Sequence, residues 1–266
     1  MTGRWVLSVD LWGTLITYGD RDAEARWRIR EFHTAITDFG YVRTPEQVEV
    51  SVRQARADTL DHQRTTGEQL PVREQVKQLL SGLGLADDEP LVDVLVIPHT
   101  HAVLRACPDV ITGAHAALRQ AKKRGAYLTL TSNTLATPAQ VTQQILEGHH
   151  LSELLDDAVY SSDLGIAKPR REVFEAVAAR AGVPIEHVVH VGNDWRTDVL
   201  GALEAGCRAV WFNPRKRPSR PQAPDIWDLS QLAEAAADAL GIPAVTPHAA
   251  AEGGGGNAHP AKETPP

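Results

Sequence analysis

Asp10 closes a short, mostly apolar run, Val6 to Val9, and is followed at once by Trp12, Gly13 and Thr14. An apolar run ended by a glycine-containing turn predicts a central strand of an α/β sheet. The end of such a strand is where open parallel sheets place their ligands. A carboxylate there can attack as a nucleophile and form an ester or acyl-phosphate that water later breaks. It can equally cap a strand–loop junction and do no chemistry.

Three further places carry reactive side chains. The run YLTLTSN ends in Thr131, Ser132 and Asn133, a pair of hydroxyls and an amide able to hydrogen-bond an anionic oxygen. In GIAKPRREVFEAV, Lys168 stands before Pro169 in a loop that opens a helix, with the proline suited to a first helical turn. A lysine held there can neutralise a carboxylate or a phosphoryl oxygen, or simply face solvent. In HVVHVGNDWRTDVLGALEAG an apolar strand ends at Gly192 and is followed by Asn193, Asp194 and Asp198. Two acids and an amide so close together could cup a hard divalent cation such as Mg²⁺. The alternative is that Asp194 and Asp198 cap and charge a helix N-terminus.

The elements that must position these residues alternate. Strands are expected at Trp5–Asp10, Ala126–Thr131, Ala158–Ser161, His187–Val191 and Ala209–Phe212, with helices at Thr137–Leu146, Arg171–Ala181 and Asp198–Ala205. That rhythm predicts a mostly parallel sheet with helices on both faces. Residues 19–105 break it and read as four helices, Asp22–Phe39, Pro45–Thr65, Val72–Ser81 and Glu89–Leu104. Such a block, inserted after the first strand, would lie as a lid over the strand ends or serve as a purely structural helical unit. The expected organisation is therefore a core of 1–18 with 106–240, a helical block of 19–105, and a disordered tail of 241–266 rich in Gly, Pro and Ala. NPRKRPSRPQAPD, from Asn213, reads as a Pro-broken basic loop.

Arg28, Arg30 and His33 on the first of these helices, and His62 and Arg64 on the second, could shuttle protons or grip an anion. A solvated helix face is the simpler reading of each. His99 and His101 have the spacing of a metal pair, but nothing nearby completes such a site.

Composition bounds the function classes. The 266 residues carry a formal charge of −7, which argues against a nucleic-acid partner, and 42% are hydrophobic, as in globular proteins. Cys107 and Cys207 are the only cysteines, so no disulfide framework is implied and a cytoplasmic setting is expected. No stretch reaches the roughly 20 apolar residues of a membrane span, and the N-terminus lacks signal-peptide character. The expected partner is a small molecule.

Taken together, Asp10, Ser132, Lys168 and Asp198, in this order and at these separations, resemble the haloacid dehalogenase-like hydrolase superfamily. The resemblance implies a Rossmann-like parallel sheet core with an inserted all-helical cap domain. It assigns Asp10 as nucleophile, Ser132 as the hydroxyl that orients the transferred group, and Lys168 as the charge-balancing lysine. Mg²⁺ would be held by Asp10, the backbone carbonyl of Trp12 and Asp198, with Asn193 or Asp194 beside them. Gly13, Thr14 and Asn133, with Arg28 and His33 from the cap, would bind substrate. One departure stands out. Phosphatases of the superfamily carry a second Asp two residues after the nucleophile, and here that position is Trp12. The DLWGTL run also looks like the DxYGTL motif of 2-haloacid dehalogenases, although Phe174 lies where those enzymes tend to carry Tyr. The leading expectation is Mg²⁺-dependent hydrolysis of a small phosphorylated metabolite through an aspartyl-phosphate at Asp10. A 2-haloacid dehalogenase and a catalytically weak binding or regulatory module are the alternatives.

Overall fold

The computed structural model describes residues 4–85 and 88–243. The chain begins with β1 (Trp5–Val9) and then runs through four consecutive helices, α1 (Arg21–Asp38), α2 (Pro45–Thr66), α3 (Val72–Gly82) and α4 (Glu89–His101). After α5 (Ala114–Lys123) come β2 (Ala126–Ser132), α6 (Ala139–Gly148), β3 (Asp157–Tyr160), the single turn α7 (Ser161–Leu164) and α8 (Arg171–Ala181). The chain then crosses to β4 (Val188–Gly192), α9 (Gly201–Ala205), β5 (Arg208–Phe212), β6 (Asp225–Ile226) and α10 (Leu232–Ala239). The strands form one sheet in the order β3-β2-β1-β4-β5-β6, every neighbouring pair parallel. Strand order reverses beside β1, between β1 and β4, and this is the crevice where open sheets of this kind bind ligands.

β1 is central, and all five of its residues are buried. Its side chains alternate between two cores, as the pleat requires. Leu7 and Val9 join a cluster with Leu118 of α5, Ile145 of α6 and Leu232 of α10. Val6 faces the other side, with Phe174 and Val177 of α8 and Ala202 of α9. A strand covered on both faces needs no polar alternation, which is why the run is apolar but for Ser8. The five expected strands form with ends shifted by a residue or so. β6, α5 and α10 were not anticipated.

Helices α1 to α4 enclose an apolar cluster of their own, with Phe32, Ile36, Val48, Val76, Leu79, Leu80, Leu91 and Leu95 at its centre. Their starts follow local rules. Asp20 accepts hydrogen bonds from the N–H groups of Asp22 and Ala23, and Thr44 and Gln47 form a reciprocal capping box ahead of Pro45. α4 stops at His101 rather than Leu104, continuing as a tighter turn over Ala102–Arg105. This helical block is tied to the loops beneath it. Gln69 Nε2 and Gln75 Nε2 both donate to the Leu135 carbonyl, at 2.9 and 3.1 Å, and the Ala167 N–H donates to the Gly67 carbonyl at 2.8 Å. Leu135 itself adopts a left-handed backbone (φ 47°), a costly conformation for leucine that these two amides help to hold. No helix among the described residues is long and apolar enough to cross a membrane. The tail expected from 241 onward lies, beyond residue 243, outside the described residues.

Candidate active site

The ends of β1, β2 and β4 bring the expected acids and lysine together. The Asp10 N–H donates to the Val191 carbonyl at 2.9 Å, fixing the carboxylate at the β1/β4 crevice. Lys168 is almost wholly buried, and its Nζ donates to Asp10 Oδ1 at 2.8 Å and to the Thr131 carbonyl at 2.7 Å. The same Nζ reaches Asp198 Oδ1 at 2.9 Å, so one ammonium stands between two carboxylates. Asn133 sets the lysine's height: its Oδ1 accepts from the Lys168 N–H at 2.8 Å and its Nδ2 donates to the Lys168 carbonyl at 2.9 Å. The amide expected to bind substrate thus clamps the lysine loop, while still lining the cavity. Thr14 Oγ1 donates to Asp10 Oδ2 at 3.0 Å.

Behind the lysine runs a buried polar chain. His190 Nε2 lies 3.4 Å from Lys168 Nζ, and its Nδ1 lies 2.7 Å from Ser8 Oγ, which is 2.7 Å from Thr131 Oγ1. The three Nζ protons are already given to Asp10, Asp198 and the Thr131 carbonyl, and His190 Nε2 also lies 3.6 Å from Asp198 Oδ1. Burial, reinforced by the charge of Lys168, lowers the His190 pKa to about 4 and keeps the ring neutral.

The two acids differ. Burial raises the Asp10 pKa to about 6 and the charge of Asp198 adds to this, against the pull of Lys168. Burial opposes the charge of Asp198 as well, but Lys168 and His190 hold that carboxyl well below the usual range. For Lys168, burial works against the charge and the two carboxylates outweigh it, so its pKa rises. Asp198 is therefore the fixed anion of the pair, and Asp10 the one whose charge depends on what approaches it.

Asp198 is held from both sides. Its Oδ2 accepts from the Asp194 N–H at 2.8 Å, and its side chain packs so closely on Gly192 that a Cβ there would overlap it. The helix expected to start at Asp198 instead begins at Trp195, as a wide π-turn over Trp195–Leu200 that runs into α9. The Asp194 side chain caps that turn, accepting from the N–H groups of Arg196 and Thr197 at 2.9 Å each. The capping alternative thus describes Asp194. Gly13 adopts φ 77° and lies against Asn193 Nδ2, where a Cβ would collide. Trp12 stacks on Tyr18, whose hydroxyl donates to the Trp12 carbonyl at 3.2 Å. Ser132 ends β2 with its hydroxyl buried and without a hydrogen-bond partner. A buried orphan of this kind calls for a partner from outside the chain.

The donors gathered here are hard oxygens: the carboxylates of Asp10 and Asp198, the Trp12 carbonyl and the Asn193 amide. Two carboxylates against one ammonium leave a net negative charge at the strand ends. That donor chemistry and that charge fit Mg²⁺, which binds through one or two carboxylates and keeps several waters. No group of three or more His, Cys, Asp or Glu side chains among the described residues surrounds a common point, so a protein-only metal cage is not what the residues offer.

Asp10, Trp12, Asn133, Lys168, Asn193, Asp194 and Asp198 line a cavity of about 420 Å³ between the strand ends and the helices α1 and α2. A model of the haloacid dehalogenase-like hydrolases matches residues 6–206. The chain belongs to that family. Among curated relatives of this haloacid dehalogenase-like hydrolase, the phosphoserine phosphatase of Thermus thermophilus is 35% identical over 127 residues, 46% of this chain and 50% of the relative. The glyceraldehyde 3-phosphate phosphatase of Methanothermobacter thermautotrophicus is 32% identical over 127 residues, 48% of this chain and 55% of the relative. The chain thus spans about half the length of the curated relatives it matches. In fold it is similar to a 2-haloacid dehalogenase from Pseudomonas syringae, with a TM-score of 0.62 at 23% identity over 89% of this chain and 99% of that one.

Two residues expected to bind substrate are placed elsewhere in this hydrolase. Arg28 is buried, donating from Nη2 to Glu24 Oε1 at 2.6 Å and to the His99 carbonyl at 3.3 Å. His33 Nε2 donates to the Arg43 carbonyl at 3.1 Å. Neither lines the cavity, and nor do Gly13, Thr14 or Ser132, so that Asn133 is the one expected substrate residue in its wall. Arg30 pairs with Glu31 and His62 with Glu68, whereas Arg64 does line it. Sequence reading missed Tyr18, Arg21, Glu24, Arg56 and Gln63, all of which line the cavity. The available signal was their spacing: Arg56, Leu60, Gln63 and Arg64 fall at i, i+4, i+7 and i+8 on one face of α2.

Proposed function

We propose that this hydrolase cleaves phosphate monoesters of small metabolites, with Asp10 as nucleophile and Mg²⁺ as cofactor. The observation that carries the reading is Asp10 itself, a buried carboxylate braced by Lys168 at 2.8 Å at the floor of a 420 Å³ cavity. The phosphatase names of the relatives support it. Asp10 would attack phosphorus, the P–O ester bond would break, and the alcohol would leave with a proton. Water would then attack the aspartyl-phosphate, releasing phosphate and restoring the carboxylate. Lys168 and the orphaned Ser132 hydroxyl would hold the phosphoryl oxygens, and such transfer is governed mainly by positioning and charge neutralisation. Mg²⁺, held by Asp10, Asp198, the Trp12 carbonyl and Asn193, would supply further neutralisation of the phosphoryl charge when bound.

The indole N–H of Trp12 is far too weak an acid to serve as a general acid, so protonation of the leaving alcohol falls to solvent in the cavity. Turnover is then expected to be about 10²–10⁴-fold below that of a site with a positioned acid. The same tryptophan favours a second reading. An aromatic side chain lining the cavity beside Asp10 suits attack on the carbon of a 2-haloacid, which needs neither metal nor general acid.

Release of phosphate from a panel of monoesters, and of halide from short 2-haloacids, with and without chelator, separates the two. The proposal expects phosphate release that stops with chelator and is lost in Asp10→Asn. Halide release indifferent to chelator would replace it with the dehalogenase. Silence in both assays, with retained folding, would favour a non-catalytic module.

A further inference from the structure

The cavity is electrically polarised. Its floor sets the carboxylates of Asp10, Asp194 and Asp198 against one cation, Lys168. The side lined by α1 and α2 inverts that balance, with Arg21, Arg56 and Arg64 against the single carboxylate of Glu24. That carboxylate is already engaged, because Arg28 behind it takes Glu24 Oε1 at 2.6 Å. Arg56 comes no nearer to it than 3.9 Å, beyond hydrogen-bond range. The half-buried guanidinium of Arg56 therefore faces the cavity with its donors unspent and with a second cation at its back. Burial lowers its pKa and the charges of Arg28 and Arg21 add to this, with Glu24 pulling the other way, so the cluster carries positive charge that Glu24 does not cancel. Arg21 lies over the ring of Tyr18, with its guanidinium carbon 5.0 Å from the ring centre, which leaves its N–H edge free. A guanidinium in this state is a fork shaped for carboxylate or phosphate oxygens.

We infer that Arg56, with Arg21 and Arg64 in the same lining, is a second anion site on the helical side of the cavity, and that the preferred substrates carry a second anionic group. The inference rests on the phosphatase reading for the role of the floor, and adds that the substrate is a small phosphate monoester bearing a further carboxylate or phosphate. An ester whose one anionic group is its phosphate would leave the half-buried Arg56 without a hydrogen-bonded anion. An ester with a further anionic group sets that group against these arginines and is also oriented by it, since the nucleophile lies on the floor.

Three matched three-carbon esters test this with the full-length chain and Mg²⁺: glycerol 3-phosphate, 3-phosphoglycerate and 1,3-propanediol bisphosphate. The expected result is a kcat/KM at least tenfold higher for one or both esters with a second anionic group. Which of the two leads distinguishes a carboxylate site from a phosphate site. In Arg56→Gln the preference should shrink towards unity through KM. Arg53→Gln, on the same helix but paired with Glu49 outside the cavity, should keep it. Arg64→Gln gives a second reading should Arg56→Gln fail to fold. Equal turnover of all three esters, or a preference that survives both cavity variants, overturns the inference while leaving the phosphatase reading intact. If no ester is hydrolysed, that reading fails and the anion site is judged by binding alone. Thermal stabilisation by 3-phosphoglycerate beyond that by glycerol 3-phosphate, lost in Arg56→Gln, supports it, and its absence overturns it.

Discussion

A single ammonium holds the site together, and its removal should be felt in both stability and turnover. Among the described residues Lys168 is the only lysine or arginine bonded to Asp10 and Asp198, and all three are buried. Lys168→Met keeps the stem and deletes the charge, leaving two carboxylates close together. Removing one partner from a buried ion cluster costs about 3–5 kcal/mol, so urea midpoints should drop accordingly and phosphate release should vanish. Trp12 supports a prediction of opposite sign. If solvent now protonates the leaving group, Trp12→Asp places an acid two residues from the nucleophile, and kcat should rise by about 10²-fold, the lower end of what general acids contribute. A fall in kcat with unchanged folding would show that the indole, rather than a missing acid, serves the reaction. At this scale much of the site was legible. Asp10 stands out at the end of an apolar run, and Lys168 and Asp198 through their order and separation from it, although each also has a structural reading as a cap or a solvated charge. His190 and Ser8 were not legible, because a polar residue inside a strand gives no sign of which neighbour it meets.

Elements place these residues, and their own stability can be separated from the chemistry. α2 carries Arg56 and Arg64, begins with the Thr44–Gln47 capping box, and shows Gln47 N–H donating to Thr44 Oγ1 at 3.3 Å. Thr44→Ala removes that acceptor at an exposed helix end, far along the chain from the cavity face. It should cost about 1 kcal/mol of stability, read as a lower urea midpoint, with KM and kcat unchanged at temperatures where the chain stays folded. A large rise in KM would mean that fraying of the first turn reaches Arg56. Helix starts of this kind were readable in advance because capping is local chemistry. The π-turn at Trp195–Leu200 was not, since it depends on Asp194 capping one side while Asp198 is drawn back to Lys168 and the Asp194 N–H. Arg28 was misplaced for a related reason. An arginine on an otherwise polar helix looks solvated or substrate-facing until Glu24, four residues earlier, claims it.

At the scale of the whole molecule, the side-chain amides of Gln69 and Gln75 help tie the helical block to the loops of the sheet, and one histidine makes that junction sensitive to acid. His99 stacks on Phe32 and lies 3.0 Å from Gln75 Oε1, while Gln75 Nε2 donates to Leu70 and to Leu135 across the junction. The Gln75 oxygen can only accept, so His99 Nε2 donates to it. Arg28 and Arg56 stand nearby with positive charge, and Glu24 is the carboxylate among them. Burial, with added repulsion from both arginines, lowers the His99 pKa to about 3, from an ordinary value of 6.5 in the unfolded chain. Between those values the unfolded chain takes up a proton that the folded chain refuses. Stability is therefore full above about pH 6.5 and falls as the pH drops, by up to about 1.4 kcal/mol per pH unit for one such group. His190, lowered to about 4 by burial and Lys168, contributes with the same sign. Urea unfolding of the unaltered chain and of His99→Gln at pH 7.5, 6.0 and 5.0 isolates the first effect. The glutamine keeps a donor for Gln75 and cannot be protonated, so the variant should lose less stability between pH 6.0 and 5.0, by about 1 kcal/mol. Parallel losses in both proteins would mean that His99 is protonated in the folded chain, and that the junction tolerates a third positive charge beside Arg28 and Arg56.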